Sequence, residues 1–221
     1  MVGKKPKTNR RLNWLMAMPV FLGFLISGLF YRQMPGVIVS GWDRFGQPNG
    51  YLPRFWGLFL MPLTSLIMLV LLWLIPQADP LKKNVDKFRS HFDNFIVFIL
   101  FFLLYLHLLV LAWALGYRFN MVYALILPLA ILFWLVGVLL EKSRRNWFIG
   151  IKTPWTISSD LVWEKTHRLG GRLFRVAGII VLGGFLLPDF SFWLAIIPPL
   201  LLSVFLTAYS YYWYRKGVGV N

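Results

Sequence analysis

The chain has 221 residues, of which 58% are hydrophobic and only 14% charged, against ~45–50% and ~25% in soluble domains. One core of this size cannot hide so much apolar surface, which excludes a soluble globular protein and makes the bilayer its solvent. Cysteine is absent, which excludes disulfides, thiolate metal sites and cysteine nucleophiles, and the net charge of +15 points to membrane orientation and anionic lipid rather than to direct nucleic acid binding.

The expected fold class is an all-α integral membrane protein with about six transmembrane helices. Crossing ~30 Å of hydrocarbon takes about 20 residues, and six apolar runs qualify, at 12–31, 55–76, 94–115, 121–140, 173–188 and 190–213. A basic tail at 1–11 precedes the first run, which continues through Phe30 without a small-residue cleavage pattern and so reads as a retained span. The first two spans form an N-terminal region, 12–76, around an extracytoplasmic loop at 32–54. A cytoplasmic loop at 77–93 leads to the middle spans within 94–140, and a third region, 141–213, holds a cytoplasmic loop at 141–172 and the last two spans. The fifth run is short and carries Gly178, Gly183 and Gly184, and a re-entrant pair is its competing reading.

Orientation follows from Lys and Arg, which stay on the cytoplasmic side. Nineteen lie in the N-terminal tail, the loop 77–93, the segment 141–175 and the tail 214–221, against four (Arg32, Arg44, Arg54, Arg118) in the alternate loops. Both termini are therefore expected in the cytoplasm.

In the outer loop, Gly46, Pro48, Asn49 and Gly50 form a dense turn signal and predict a compact, ordered segment. In the loop 141–172, Pro154 breaks the preceding structure and Ser158 is the expected cap of a short interfacial helix running to about Leu169, with Gly170 and Gly171 as its stop or bend. If that helix continues through the bend, Val162, Leu169, Leu173 and Val176 share an apolar face, and Lys165, Arg168, Arg172 and Arg175 a basic one. The basic face suits lipid headgroups or a cytoplasmic partner.

Chemistry-bearing residues inside the spans are scarce: apart from Arg175 at the start of the fifth run, which is counted with the basic segment before it, His107 is the one His, Lys, Arg, Asp or Glu there. A neutral ring bonded to a neighbouring helix is one reading, and a proton relay or ligand contact the other. No Asp or Glu sits in the spans, no HExxH motif occurs, and a dyad of His107 with Ser27, Ser65 or Ser203 competes with serines that bond their own backbone. His167 is expected to be solvated or lipid-facing on the interfacial helix. No enzyme, metal site or cofactor is expected; a transporter with a polar path at His107 is the alternative.

Two segments carry a resemblance to a known family. The stretch from Asn146 to Phe174 resembles the signature of the SdpI family through Asn146, Gly150, Thr153, Pro154, Trp155, Thr156, Ser159, Trp163, Thr166, His167 and Gly171, with Lys152 where arginine is usual and Arg168 following the histidine. Lysine keeps the charge there but loses the planar fork. The loop residues Trp42, Asp43, Gly46, Pro48, Asn49, Gly50 and Tyr51 resemble the motif of a domain of unknown function that often precedes the SdpI region, although Gly41 stands at that motif's histidine. The resemblance implies a non-enzymatic membrane immunity protein that meets an extracellular peptide toxin through the outer loop. It further implies a possible cytoplasmic repressor, held at the basic loop. Trp155 and Trp163 read equally as interfacial anchors or as contact residues.

Overall fold

The computed structural model describes residues 10–218; the expected basic residues Lys4, Lys5 and Lys7 lie outside them. The chain is a mostly helical, multi-pass membrane protein. Its first helix, α1 (Arg10–Phe30), leads into an antiparallel hairpin, β1 (Val37–Trp42) and β2 (Pro48–Pro53), followed by α2 (Arg54–Ala78). A short α3 (Lys82–Asp86), α4 (Arg89–Ala114) and α5 (Met121–Lys142) come next, then a short α6 (Pro154–Ser158), α7 (Asp160–Leu182) and α8 (Ser191–Trp213).

The helical architecture agrees with the expected all-α membrane fold, to which the outer loop adds one two-stranded hairpin. Val37 pairs with Pro53 and Val39 with Tyr51, with an irregularity near Gly41, and the Asp43 carboxylate closes the turn by accepting the Phe45 and Gln47 N–H groups, both at 2.9 Å. Alternating burial holds it in place: Ile38 is buried with Met34, Leu58, Val110 and Leu111, which seats the hairpin on the ends of α1, α2 and α4. At the opposite end, a second cluster joins Met16 and Val20 of α1 to Val85, Phe88, Phe92 and Ile96, and to Leu139 and Ile149.

Among the described residues, five helical segments are long and apolar enough to cross a bilayer, namely those in α1, α2, α4, α5 and α8. The expected fifth run falls in the second half of α7 and the 3-10 turn Gly183–Phe185, and α7 as a whole is less apolar than those five because it carries Asp160, Glu164, Lys165, Arg168, Arg172 and Arg175. The helix does not stop at Gly170 and Gly171, and it starts one residue later than expected, capped by Ser159, whose side chain accepts the Val162 N–H. Its buried face is Val162, Trp163, Thr166, His167, Gly170, Gly171, Ala177, Gly178 and Val181, while Val176 is exposed.

The glycines are there for α5. A Cβ on Gly171 would lie 2.6 Å from the Gly137 carbonyl oxygen, one on Gly137 would lie 2.5 Å from that of Gly171, and one on Gly178 would lie 2.7 Å from that of Ala130. Inside lipid the hydrophobic effect does not press helices together, so small residues that let backbones touch supply the association through packing. A glycine pair in mid-helix costs about 1 kcal/mol per residue against alanine, and this seam offsets it. It runs from Gly137 opposite Gly171 to Ile126 beside Gly184, so α7 lies antiparallel along most of α5. Arg175 reaches across it to Glu141 at 2.6 Å.

His107, fully buried in α4, lies 3.0 Å from the Ser27 hydroxyl of α1, which donates to the Leu58 carbonyl of α2 at 2.8 Å. Because the serine hydrogen goes to Leu58, the imidazole Nε2–H donates to Ser27. That direction is opposite to a serine nucleophile with a histidine base, and the pair instead ties three helices together. Ser65 and Ser203 bond the carbonyls of Met61 and Pro199, one turn back in their own helices.

Replacing Gly171 by valine should separate α5 from α7 and cost about 1–3 kcal/mol or more by overpacking. Thermal unfolding in detergent checks this, with Gly28→Ala, at a position open on all sides, as the control that should change little.

Candidate functional site

The SdpI-type motif residues converge on one end of the bundle, and Asn146 starts the arrangement. Fully buried, its amide donates to the carbonyls of Arg144 and Ile149 at 2.8 and 2.9 Å and accepts the N–H groups of Phe148 and Ile149 at 3.0 and 2.6 Å. Four bonds from one side chain use nearly the whole capacity of an amide, so this turn is shaped around asparagine. The loop is stitched to the segment after α2: Trp147 N–H donates to Asp79 at 2.9 Å, and Asn84 donates to the Arg145 carbonyl at 2.9 Å.

Gly150 then turns the chain with φ at +123°, and a Cβ there would meet His167 Nε2 at 2.4 Å. Both constraints demand glycine. The next residue, Ile151, donates its N–H to His167 Nε2 at 2.9 Å. On the other side of the ring, Nδ1 lies 2.9 Å from the Trp163 carbonyl one turn earlier in α7. An amide can only donate and a carbonyl only accept, so the ring is neutral with its hydrogen on Nδ1. Stacked on Trp163 at 3.9 Å, it is 1% exposed, and burial pushes the imidazole down to about 4. The expectation of a solvated or lipid-facing His167 is thereby corrected. Alternation of apolar and charged residues around it suggested a surface helix, but the loop 143–153 folds back and covers the ring.

Thr153 and Thr156 form a reciprocal cap on α6, with Pro154 at its first position: Thr156 N–H donates to Thr153 Oγ1 at 3.1 Å and Thr153 N–H to Thr156 Oγ1 at 2.9 Å. Thr156 also donates to the Ile151 carbonyl at 2.9 Å. Trp155 donates its indole N–H to Ser210 of α8 and packs on Tyr211, and Trp163 is buried. Both tryptophans are thus contact residues within the protein. Ser159 caps α7, Thr166 is buried on the inner face, Gly171 belongs to the seam with α5, and Lys152 and Arg168 are exposed.

Between the loop and the helix ends lies a cavity of about 560 Å³. Asn84, Lys87, Arg144, Trp163, His167 and Arg168 are among its walls.

The hairpin residues gather at the other end. Trp42 sits edge-on against Trp113 of α4 at 5.7 Å, and Trp113 meets Phe119 at 5.4 Å. Gly46, with φ at +79°, lets the Asn120 side chain close in; Asn120 Nδ2 donates to the Phe45 carbonyl at 3.2 Å while its Oδ1 caps α5. Gly50 faces Gly41 across the strands and Asn49 lies exposed beside it. Pro48, Tyr51, Trp113 and Arg118 wall a second cavity of about 610 Å³.

Sequence reasoning missed Asp79, Asn84, Asn120 and Ser210 as partners of the two motifs. Asn120 carried a usable signal, as an asparagine directly before an apolar run, and Ser210 was a polar residue near the end of one; Asp79 and Asn84 carried none.

The arrangement defines a multi-pass membrane protein with an ordered loop at each end of its bundle. Residues 142–210 match the SdpI/YfhL protein family and residues 18–66 match DUF1648, a domain of unknown function. The chain is 27% identical over 198 residues to the immunity protein SdpI of Bacillus subtilis (strain 168), covering 89% of this chain and 93% of that protein. No solved structure matches. These matches bear out the resemblance of residues 146–174 to the SdpI family and that of the outer loop to a domain of unknown function.

His167→Ala should lose both hydrogen bonds and leave a void, costing about 2–4 kcal/mol, and Gly150→Ala should destabilise comparably through its φ and its clash with the ring. Above pH 6.5 the ring is neutral in folded and unfolded chains alike and contributes no pH dependence; between about 6.5 and about 4 only the unfolded chain takes the proton, so stability should fall through that window. Unfolding midpoints at pH 7.5 and 5 measure it, and His167→Gln should lose this part of the pH dependence.

Proposed function

We propose that this protein protects its cell from a membrane-active peptide toxin and does so without catalysis. The observation that carries the reading is the relation to an immunity protein along nearly the whole of both chains. A fold with its ordered segments at the two ends of the bundle supports it. The hairpin end faces outward and meets the toxin, with the cavity beside Tyr51 and Trp113 offering apolar walls and Arg118 a cation. The end built from 143–159 faces the cytoplasm, where the exposed cations Lys152 and Arg172 hold a repressor when toxin is bound.

Six crossings of the cytoplasmic membrane with both termini in the cytoplasm fit this reading, because α7 runs along α5 and α8 returns, and the basic residues favour that sidedness. The transporter alternative has less support: the His107 ring is 1% exposed and its bond to Ser27 is spent on holding helices.

Expressed in a bacterium sensitive to a sporulation-delaying type of peptide, the chain should restore survival, and His107→Leu should keep that protection while Tyr51→Ala and Trp113→Ala weaken it. Failure to protect against any such peptide would count against the immunity reading. The chain has no cysteine, so single probes report sidedness cleanly: a cysteine at Asn49 should be labelled from outside intact cells and one at Lys152 should not.

A further inference from the structure

We propose that the cavity under the motif loop is a binding site for a phosphate-bearing anion. Three separate segments supply its cations: Lys87 before α4, Lys142, Arg144 and Arg145 at and after the end of α5, and Arg168 in α7. Three carboxylates share the wall, but two are already engaged. Glu141 pairs with Arg175 at 2.6 Å and Asp160 with Arg145 at 2.8 Å. Glu164 remains as the third, against Lys142, Arg144 and Arg168, none of which has an ion-pair partner among the described residues.

A second observation points to a ligand. Trp163 lines the same cavity, is 2% exposed, and its indole N–H finds no acceptor among the described residues. Burying such a donor without a partner is costly, and a ligand oxygen would satisfy it. Two arginines without ion-pair partners and an unpaired N–H lining one cavity match the oxygens of a phosphate, which takes paired N–H bonds from arginine. The volume of about 560 Å³ falls within the ~300–1,000 Å³ of small-ligand sites.

Two sources share this chemistry. The cavity lies where α5 ends and α4 and α7 begin, so its anion is either the headgroup of an anionic phospholipid or a soluble phosphate ester. The site stands on this geometry and does not require the immunity reading, so its test uses no toxin.

The full chain in an uncharged maltoside detergent is titrated with dihexanoyl phosphatidylglycerol, dihexanoyl phosphatidylcholine and inorganic pyrophosphate, following tryptophan fluorescence and the unfolding midpoint. Saturable binding of phosphatidylglycerol, weakened about tenfold or more in Arg144→Gln/Arg168→Gln and unchanged in Lys82→Gln/Lys83→Gln, is the expected result. Lys142→Gln serves should the double arginine variant fail to fold. Pyrophosphate competing at the same site would assign it to soluble phosphate esters, and phosphatidylglycerol binding alone would assign it to lipid. Equal affinity for phosphatidylcholine, equal affinity in the arginine variant, or no binding of either anion overturns the proposal.

Discussion

Under the motif loop, the ring of His167 offers a lone pair to Ile151 N–H and a hydrogen to the Trp163 carbonyl, and only one tautomer of the neutral ring does both. That requirement organises the residues around it. Gly150 is glycine because any side chain would strike Nε2, and Asn146 shapes the turn that brings Ile151 to the ring. Thr156 takes the Ile151 carbonyl, so both polar groups of this residue's peptide neighbourhood are satisfied in a buried place where leaving them open would cost about 1–3 kcal/mol each. The motif is thus first a folding unit. Its exposed members, Lys152 and Arg168, are the ones left free to face a partner or ligand.

The glycine seam gives this unit a rigid base. By lying backbone to backbone along α5, α7 carries His167 and Trp163 at one end and comes level with Ile126 at the other, close to the Asn120 cap that holds the hairpin turn. A displacement of the hairpin therefore has a continuous route to the basic end: the Asn120 hydrogen bond, the length of α5, and the packed seam. Helices in such contact shift as units, since close-packed interfaces do not deform continuously. In the function proposed above, this is the path by which a toxin at one end alters what the other end holds.

Much of this was legible in the residues. Composition alone identified the lipid environment, hydropathy placed α1, α2, α4, α5 and α8 within a few residues, and the two loop motifs marked both ordered ends. Three features were not. The hairpin carries a β-branched run in Val37, Ile38 and Val39, but the glycine, proline and asparagine that follow masked it as turn. Gly170 and Gly171 read as a helix stop because glycine is used for both chain termination and close helix contact, and only the opposing Gly137 decides between them. His167 looked solvated because its neighbours Glu164, Lys165 and Arg168 are charged, while the lid that buries it lies 16 residues earlier, at Ile151.

The state of that ring is the most direct test of the account. Nitrogen NMR of the histidine-labelled protein, with His167→Gln for assignment, should show a neutral ring carrying its hydrogen on Nδ1 and keeping it down to about pH 5. A ring that titrates near the ordinary value of 6.5, or one that carries its hydrogen on Nε2, would contradict the arrangement on which the loop is built.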